Sequence, residues 1–363
     1  MSVHEILIAV MAVFAVLGAL DRIFGNPIGI GKEFEDGILA MGALALAMVG
    51  IIVLAPVLAK VLQPVVVPVY RFLGADPAMF AGTILACDMG GGALAQEMAD
   101  TPQAALFGGV LCGSMLGATI VFTIPVALGI LQEEDRPFLA KGILAGVVTI
   151  PVGLLTGGLV AGYPIGMILR NLVPIVVIAA GIALGLWKAE KWMIRGFTWF
   201  GKGILALITL GLALSIFQTL TGWTLVEGLA PIDEGFRTVG AIAIVLAGAF
   251  PLVFVITRVL KKPLLKLGKV LGINDTAAAG LIASLANSIA TFGMVKKMDP
   301  RGKVVNLAFA VSAAFVFGDH LGFTAGFSPR LLPAMILGKL AGGISAVAVA
   351  LLMTRKTGSA SAT

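Results

Sequence analysis

Eleven apolar runs, most of them about 20 residues long, fill this sequence: 6–20, 38–61, 79–98, 104–131, 138–162, 165–187, 204–220, 239–260, 276–294, 304–327 and 331–353. About 20 apolar residues make a helix that crosses the hydrocarbon core of a bilayer. In lipid the backbone must satisfy its own hydrogen bonds, so only helices and closed barrels span. Continuous runs with little strand alternation select helices. The expected fold class is an all-α polytopic membrane protein. Of the 363 residues, 59% are hydrophobic and 12% charged, about half the charge of an ordinary soluble domain. No stretch is left over for a sizeable water-soluble domain. The net charge of +6 therefore belongs to loop placement, with the bilayer as partner and no nucleic acid. Cys87 and Cys112 sit in apolar runs and read as small packing residues rather than a disulfide framework. Met1 to Glu5 carries no Lys or Arg, and Asp21-Arg22 closes the first run. That pattern reads as a retained span rather than a removable signal. The tail after Met353 is short and polar and is expected to fray. Trp187, Trp192 and Trp199 flank a basic connection, as interfacial anchors do.

Sliding the chain by 198 residues brings its halves into register. Gly42, Ala43, Ala45 and Gly50 meet Gly240, Ala241, Ala243 and Gly248, and Leu73-Gly74 and Ala81-Gly82 meet Leu271-Gly272 and Ala279-Gly280. From Met41 to Ile84 there are 13 identities in 44 ungapped positions. The competing explanation is coincidence in a composition rich in Ala, Gly and Leu. The expected organisation is a first repeat at 1–160, a linking transmembrane helix at 161–197 and a second repeat at 198–363. Basic residues indicate how the copies are oriented. With Lys141, Arg170 and Lys339 set aside as lying inside apolar runs, 22 Lys and Arg remain. If every run crosses, they divide 13 against 9; if the third run of each copy returns to its own side, they divide 18 against 4. The second division favours two inverted repeats of about five segments each, with broken or re-entrant third segments, N-terminus out and C-terminus in.

The third segments carry their own signs of interruption. Gly90-Gly91-Gly92 follows Asp88 in the first; Gly280, Ser284, Asn287, Ser288, Thr291 and Gly293 punctuate the second. Each interior Gly costs a helix about 1 kcal/mol relative to Ala. Interrupted segments at matching places in two halves point to a transporter's midplane site. The blander explanation is that small residues permit close helix packing.

Few ionisable residues lie deep in these runs. Asp88 and Asp319 are the principal candidates, since a carboxylate near the bilayer centre costs about 3 kcal/mol on insertion scales and needs a partner or an aqueous cavity. Two acids beside glycine breaks suit a small cation. Each could instead be paired internally with Lys141, Arg170 or Lys339. His320 is a candidate hydrogen-bonding group or a satisfied core histidine. Asn287 lies where the second copy matches the neighbourhood of Asp88 and could bond a substrate hydroxyl, or simply a neighbouring helix. Glu97 closes the first broken segment, as a binding group or as an interfacial charge. Lys141 and Lys339 read as snorkelling from span ends, and Glu35 and Asp36 as favourable charges at a helix start. With only His4 and His320, an HExxH metalloprotease is excluded, and no GxSxG elbow, P-loop or Cys/His zinc spacing is present. No catalytic residue, cofactor or metal is expected. A secondary transporter or channel-like facilitator remains.

Three blocks carry a family resemblance: Phe34-Glu35-Asp36-Gly37 running into 40–50, Leu85-Ala86-Cys87-Asp88-Met89-Gly90-Gly91, and Met298-Asp299-Pro300-Arg301-Gly302-Lys303 followed by 308–323. On these the chain resembles the bacterial ethanolamine permease family of the ethanolamine-utilisation pathway. The connection around Gly162-Tyr163-Pro164 is shorter than the family pattern leads one to expect. The resemblance implies import of ethanolamine across the bacterial inner membrane. It assigns no binding residue, and it leaves a homo-oligomer open. A carrier for another small amine or polar solute, such as choline, is the alternative.

Overall fold

Ser2 starts the first helix with a capping box, its backbone N–H donating to Glu5 at 2.8 Å, and from there nearly every element is helical. The computed structural model describes residues 2–355, with no strand among them. The remainder of the tail, 356–363, lies outside the described residues, as do the side chains of Leu260, Lys261, Leu264 and Leu267. In chain order the helices are α1 (Val3–Ile23), α2 (Ile30–Phe72), α3 (Ala78–Ile84), α4 (Gly91–Met98), α5 (Pro102–Leu106), α6 (Ile124–Ile130), α7 (Arg136–Val147), α8 (Ile150–Val160) and α9 (Ile165–Thr221). They continue as α10 (Ile232–Leu271), α11 (Asp275–Ala286), α12 (Ser288–Met294), α13 (Pro300–Ala313), α14 (Asp319–Phe327) and α15 (Leu332–Met353). Between α5 and α6 the backbone is π-helical over Phe107–Gly117 and Thr119–Thr123.

Seven of these runs are long and apolar enough to cross a membrane, against eleven apolar runs in the sequence. The difference has two causes. Three runs are broken, at 85–90, 287 and 314–318. Two others, 165–187 and 204–220, lie on one helix. The basic stretch between them, read from sequence as a connection, is helical, and α9 bends at Ala189 (φ −141°, ψ 44°). That stretch holds no Pro, and Lys188, Ala189, Glu190, Lys191, Met193 and Arg195 are good helix formers. Trp187, Trp192 and Trp199 are all about 70% exposed. Lys188, Arg195 and Lys202 lie over their rings at 5.3–5.7 Å, the arrangement of an interfacial belt. Glu35 and Asp36 form exposed ion pairs with Arg22 and Lys32, at 3.0 and 3.3 Å.

The two longest-packed helices, α2 and α10, run antiparallel. Gly37 abuts the backbone of Leu246 and Ala247, while Gly235 abuts Val49. Farther along, the Ala230 N–H donates to the Val53 carbonyl at 2.9 Å. Rising numbers on α2 thus meet falling numbers toward and beyond the start of α10. Small residues let the two backbones approach this closely.

Both third segments fold back on themselves. The N–H of Asp100, just past α4, donates to the carboxylate of Asp76, just before α3, at 3.2 Å. In the second, Asn274 donates from its backbone to Asp299 at 2.8 Å and from its side chain to the Lys297 carbonyl at 3.0 Å. Each hairpin therefore ends where it began. Gly74 and Gly272, one before each hairpin, have positive φ (73° and 68°), a conformation cheap only for glycine.

Candidate functional site

The apex of the first hairpin is set by backbone chemistry. After Ile84 the chain is extended, then makes a single tight turn over Cys87–Met89 and enters α4 through Gly90 at φ 86°. The N–H groups of Met89 and Gly91 both donate to the Ala86 carbonyl at 3.0 Å. A Cβ on Gly90 would collide with Ile51 of α2. The turn displays Asp88. Glycines also seat this hairpin against the π-helical segment: Gly82 against Gly108, Gly113 against the Cys87 backbone and Gly117 against the Leu85 carbonyl. The thiol of Cys112 donates to the Gly82 carbonyl at 3.3 Å. π-Turns recur at functional sites.

The second apex is built differently. α11 ends at Ala286, and Asn287, extended, caps α12 by accepting the Ile289 N–H at 2.8 Å. Ser284 and Thr291 bond each other at 2.8 Å, and Thr291 donates to the Gly280 carbonyl. The last carbonyls of α11 are taken by the unwound stretch 314–318. Phe315 N–H reaches Ser284 O at 3.0 Å, and Phe317 N–H reaches Leu285 O at 2.9 Å. One broken element thereby satisfies the backbone of the other, as lipid depth requires. Phe315 has a φ of 63°, uncommon for a bulky residue. Its ring lies 5.4 Å from Phe122 and 5.3 Å from His320.

Two of the three breaks, 85–90 and 314–318, deliver their side chains to one place. His320, in the first turn of α14, presents Nε2 to the Asp88 carboxylate at 3.7 Å, beyond direct hydrogen-bond distance. The imidazole is buried and its Nδ1 has no partner. Asp319, half-buried, opens α14 and lies within Coulombic reach of Asp88. No side-chain donor among the described residues bonds either carboxylate. Glu97 is exposed at the far end of α4, and Asn287 is exposed with its oxygen committed to the cap. No hydrogen bond or ion pair joins either to this group among the described residues.

Lys339 departs from the sequence reading. Lys141 is exposed, as a snorkelling lysine should be, but Lys339 is only 1% exposed and its ammonium donates to the Ser114 carbonyl inside the π-helical segment. Beside it on α15, Gly338, Gly342 and Gly343 pack closely on neighbouring helices. Arg170 is exposed. Of the three cations weighed as internal partners of the acids, Lys339 alone lies within Coulombic reach of Asp88 and Cys87. No carboxylate among the described residues approaches it within ion-pair distance. The match of Lys141 with Lys339 at the 198-residue offset was the one sequence signal that could have drawn attention to it.

Cys87, Asp88 and His320 place ligand atoms within 4.8 Å of one another. A metal could use that donor set, but a divalent ion would sit near the Lys339 ammonium. Two surface hollows lie elsewhere. One is lined by Glu133, Arg136 and the 190–195 stretch of α9, the other by Ser215, Gln218 and 229–233. Neither hollow includes Asp88, Asp319, His320 or Lys339.

Residues 3–353 match the family described as "Ethanolamine utilisation protein, EutH". The chain belongs to the EutH family. It is 61% identical over 356 residues to the "Probable ethanolamine permease EutH" of Listeria monocytogenes, covering 98% of this chain and 95% of that one. It is 49% identical to the protein of the same name in Escherichia coli, covering 98% and 97%. The "Uncharacterized protein YxeR" of Bacillus subtilis is 52% identical, with 98% and 96% covered. The alignment to the Escherichia coli relative spans 394 positions, more than the 363 residues here, so that relative carries residues this chain lacks. No solved structure matches. Family membership and seven apolar helices make this a multi-pass membrane protein, with relatives named as permeases rather than enzymes.

Proposed function

We propose that this protein imports ethanolamine across the bacterial inner membrane by alternating access, its ammonium held by Asp88 with Asp319 beside it. The observation that carries this reading is the half-buried Asp88 carboxylate at a helix break, facing His320 from a second break at 3.7 Å. The names of the relatives supply the substrate. Ethanolamine is mostly a cation at neutral pH, and its ammonium offers N–H donors to a carboxylate otherwise without them. His320 is the neighbouring polar group for the hydroxyl, and Glu97 is an approach charge at the hairpin's end. Entry of the cation gains about 2.3 kcal/mol per 100 mV of negative-inside potential, enough for uniport.

The proposed architecture is two copies, 1–160 and 198–363, joined through 161–197 and inverted relative to each other. Three features support it. Antiparallel α2 and α10 touch reciprocally, Gly37 with Ala247 and Val49 with Gly235, each pair being the other shifted by 198. Both hairpins close at their bases. The caps of α5 and α13 coincide as well, Thr101 accepting Ala104 N–H and Asp299 accepting Gly302 N–H. Copies related by an axis in the membrane plane would expose one midplane site to each side in turn.

The test is labelled ethanolamine uptake into proteoliposomes, with voltage, pH and sodium varied separately. Asp88→Asn is expected to lower uptake at least about 100-fold with membrane abundance unchanged; wild-type uptake would remove Asp88 from the site. Choline competing as well as ethanolamine would reassign the substrate. Absence of trans-stimulation by internal ethanolamine would indicate a channel-like facilitator.

A further inference from the structure

A lysine buried as deeply as Lys339 must have its charge met from inside the protein. The Ser114 carbonyl takes one of its N–H bonds. Ser114 follows Gly113, and Gly113 lies directly against the Cys87 backbone, so the ammonium is held one layer behind the turn that carries Asp88. Around Asp88 the charged and titratable groups are Lys339 from α15, His320 and Asp319 from α14, and Cys87 from its own turn. Lys339 is the one lysine or arginine of this set.

We propose that Lys339 is the site's resident cation. Its ammonium compensates Asp88 whenever no substrate amine is present, and gives up that role when an alkylammonium enters. The inference rests on the reading of Asp88 as the amine's counter-charge. Its physical motive is the empty carrier. A bare carboxylate is costly to enclose during the return step, whereas a carboxylate backed by a tethered ammonium can be enclosed without cargo. The same ammonium repels the substrate's charge, so it weakens binding while permitting release and return. Lys339 is therefore a positioning residue of the transport cycle.

A purely structural lysine and a resident cation predict opposite outcomes. In nanodiscs, Lys339→Gln is expected to bind ethanolamine about tenfold more tightly than wild type, because a like charge nearby has been removed. In proteoliposomes its net uptake should fall about tenfold, while counterflow against internal ethanolamine is retained, since exchange bypasses the empty return. Lys339→Arg keeps the charge and should stay within about threefold of wild type in both assays. In the Asp88→Asn background, where the lysine charge is uncompensated, adding Lys339→Gln should raise the residual ethanolamine binding at least as much as it does in wild type.

Unchanged or weaker binding by Lys339→Gln, or net uptake and counterflow falling together, would overturn the inference. So would a double variant, neutral at both positions, that fails to fold, because that would make the lysine structural. Wild-type binding by Asp88→Asn would instead overturn the reading of the site itself.

Discussion

The two hairpins share a plan and differ at their tips. Each is tied at its base by an acid or amide, Asp76 in one and Asn274 in the other, and each breaks halfway. The first tip turns a carboxylate toward His320 and leans on an unbroken π-helical neighbour. The second spends its polar side chains on itself, through Asn287, Ser284 and Thr291, and leans on the unwound stretch 314–318. Charge is thus concentrated on the first tip, and irregular backbone around the second. A cation site needs both, because a carboxylate supplies attraction while interrupted helices admit polar groups to lipid depth.

The sharpest way to break this contrast is at Gly90. Its positive φ and the side chain of Ile51 both exclude a Cβ. Gly90→Ala is expected to cost about 3 kcal/mol, from backbone strain and overpacking together, and to abolish uptake. A thermal-unfolding midpoint equal to wild type would show that the first tip can relax. Next in size is Asn287→Ala, which removes a helix cap worth about 1 kcal/mol. If the second tip serves only itself, the ethanolamine Kd should move less than about threefold; a tenfold rise would bring Asn287 into the site.

The smallest effect is expected at Asp76, where burial raises the carboxyl above its usual range, opposed by N–H bonds from Ala78 and Asp100. A raised folded-state value means the folded protein holds the proton more tightly than the unfolded chain. Stability from this group is therefore present at low pH and lost as pH rises through that value. Asp76→Asn makes the first base resemble the second. It should change stability by less than about 0.5 kcal/mol at neutral pH and flatten the dependence on pH just above the usual carboxylate range. Urea unfolding across pH 3–7 would reveal a larger loss if the charge itself holds the base.

The hairpin breaks were legible because glycine runs and clustered Ser, Asn and Thr are rare in apolar spans and here recur in register. Asp88 and Asp319 stood out because acids in lipid are costly. Lys339 did not. A lysine near the end of an apolar run looks the same whether it climbs to the headgroups or turns inward; neighbouring helices decide, and those are brought together only by tertiary packing. The π-helical segment was equally silent, since Phe107–Gly117 has the composition of any small-residue helix. α9 misled for another reason. Its basic middle resembles polar punctuation between spans, but it holds no proline and continues as helix through one kink at Ala189.

The reciprocal seam between α2 and α10 carries a consequence for assembly. Gly37 meets Ala247 and Gly235 meets Val49, so each helix presents at one height the position that its partner presents at the other. A surface that mates with its own shifted copy, head to tail, needs no second kind of partner. A half-length chain bearing only one such helix would possess both faces of the joint.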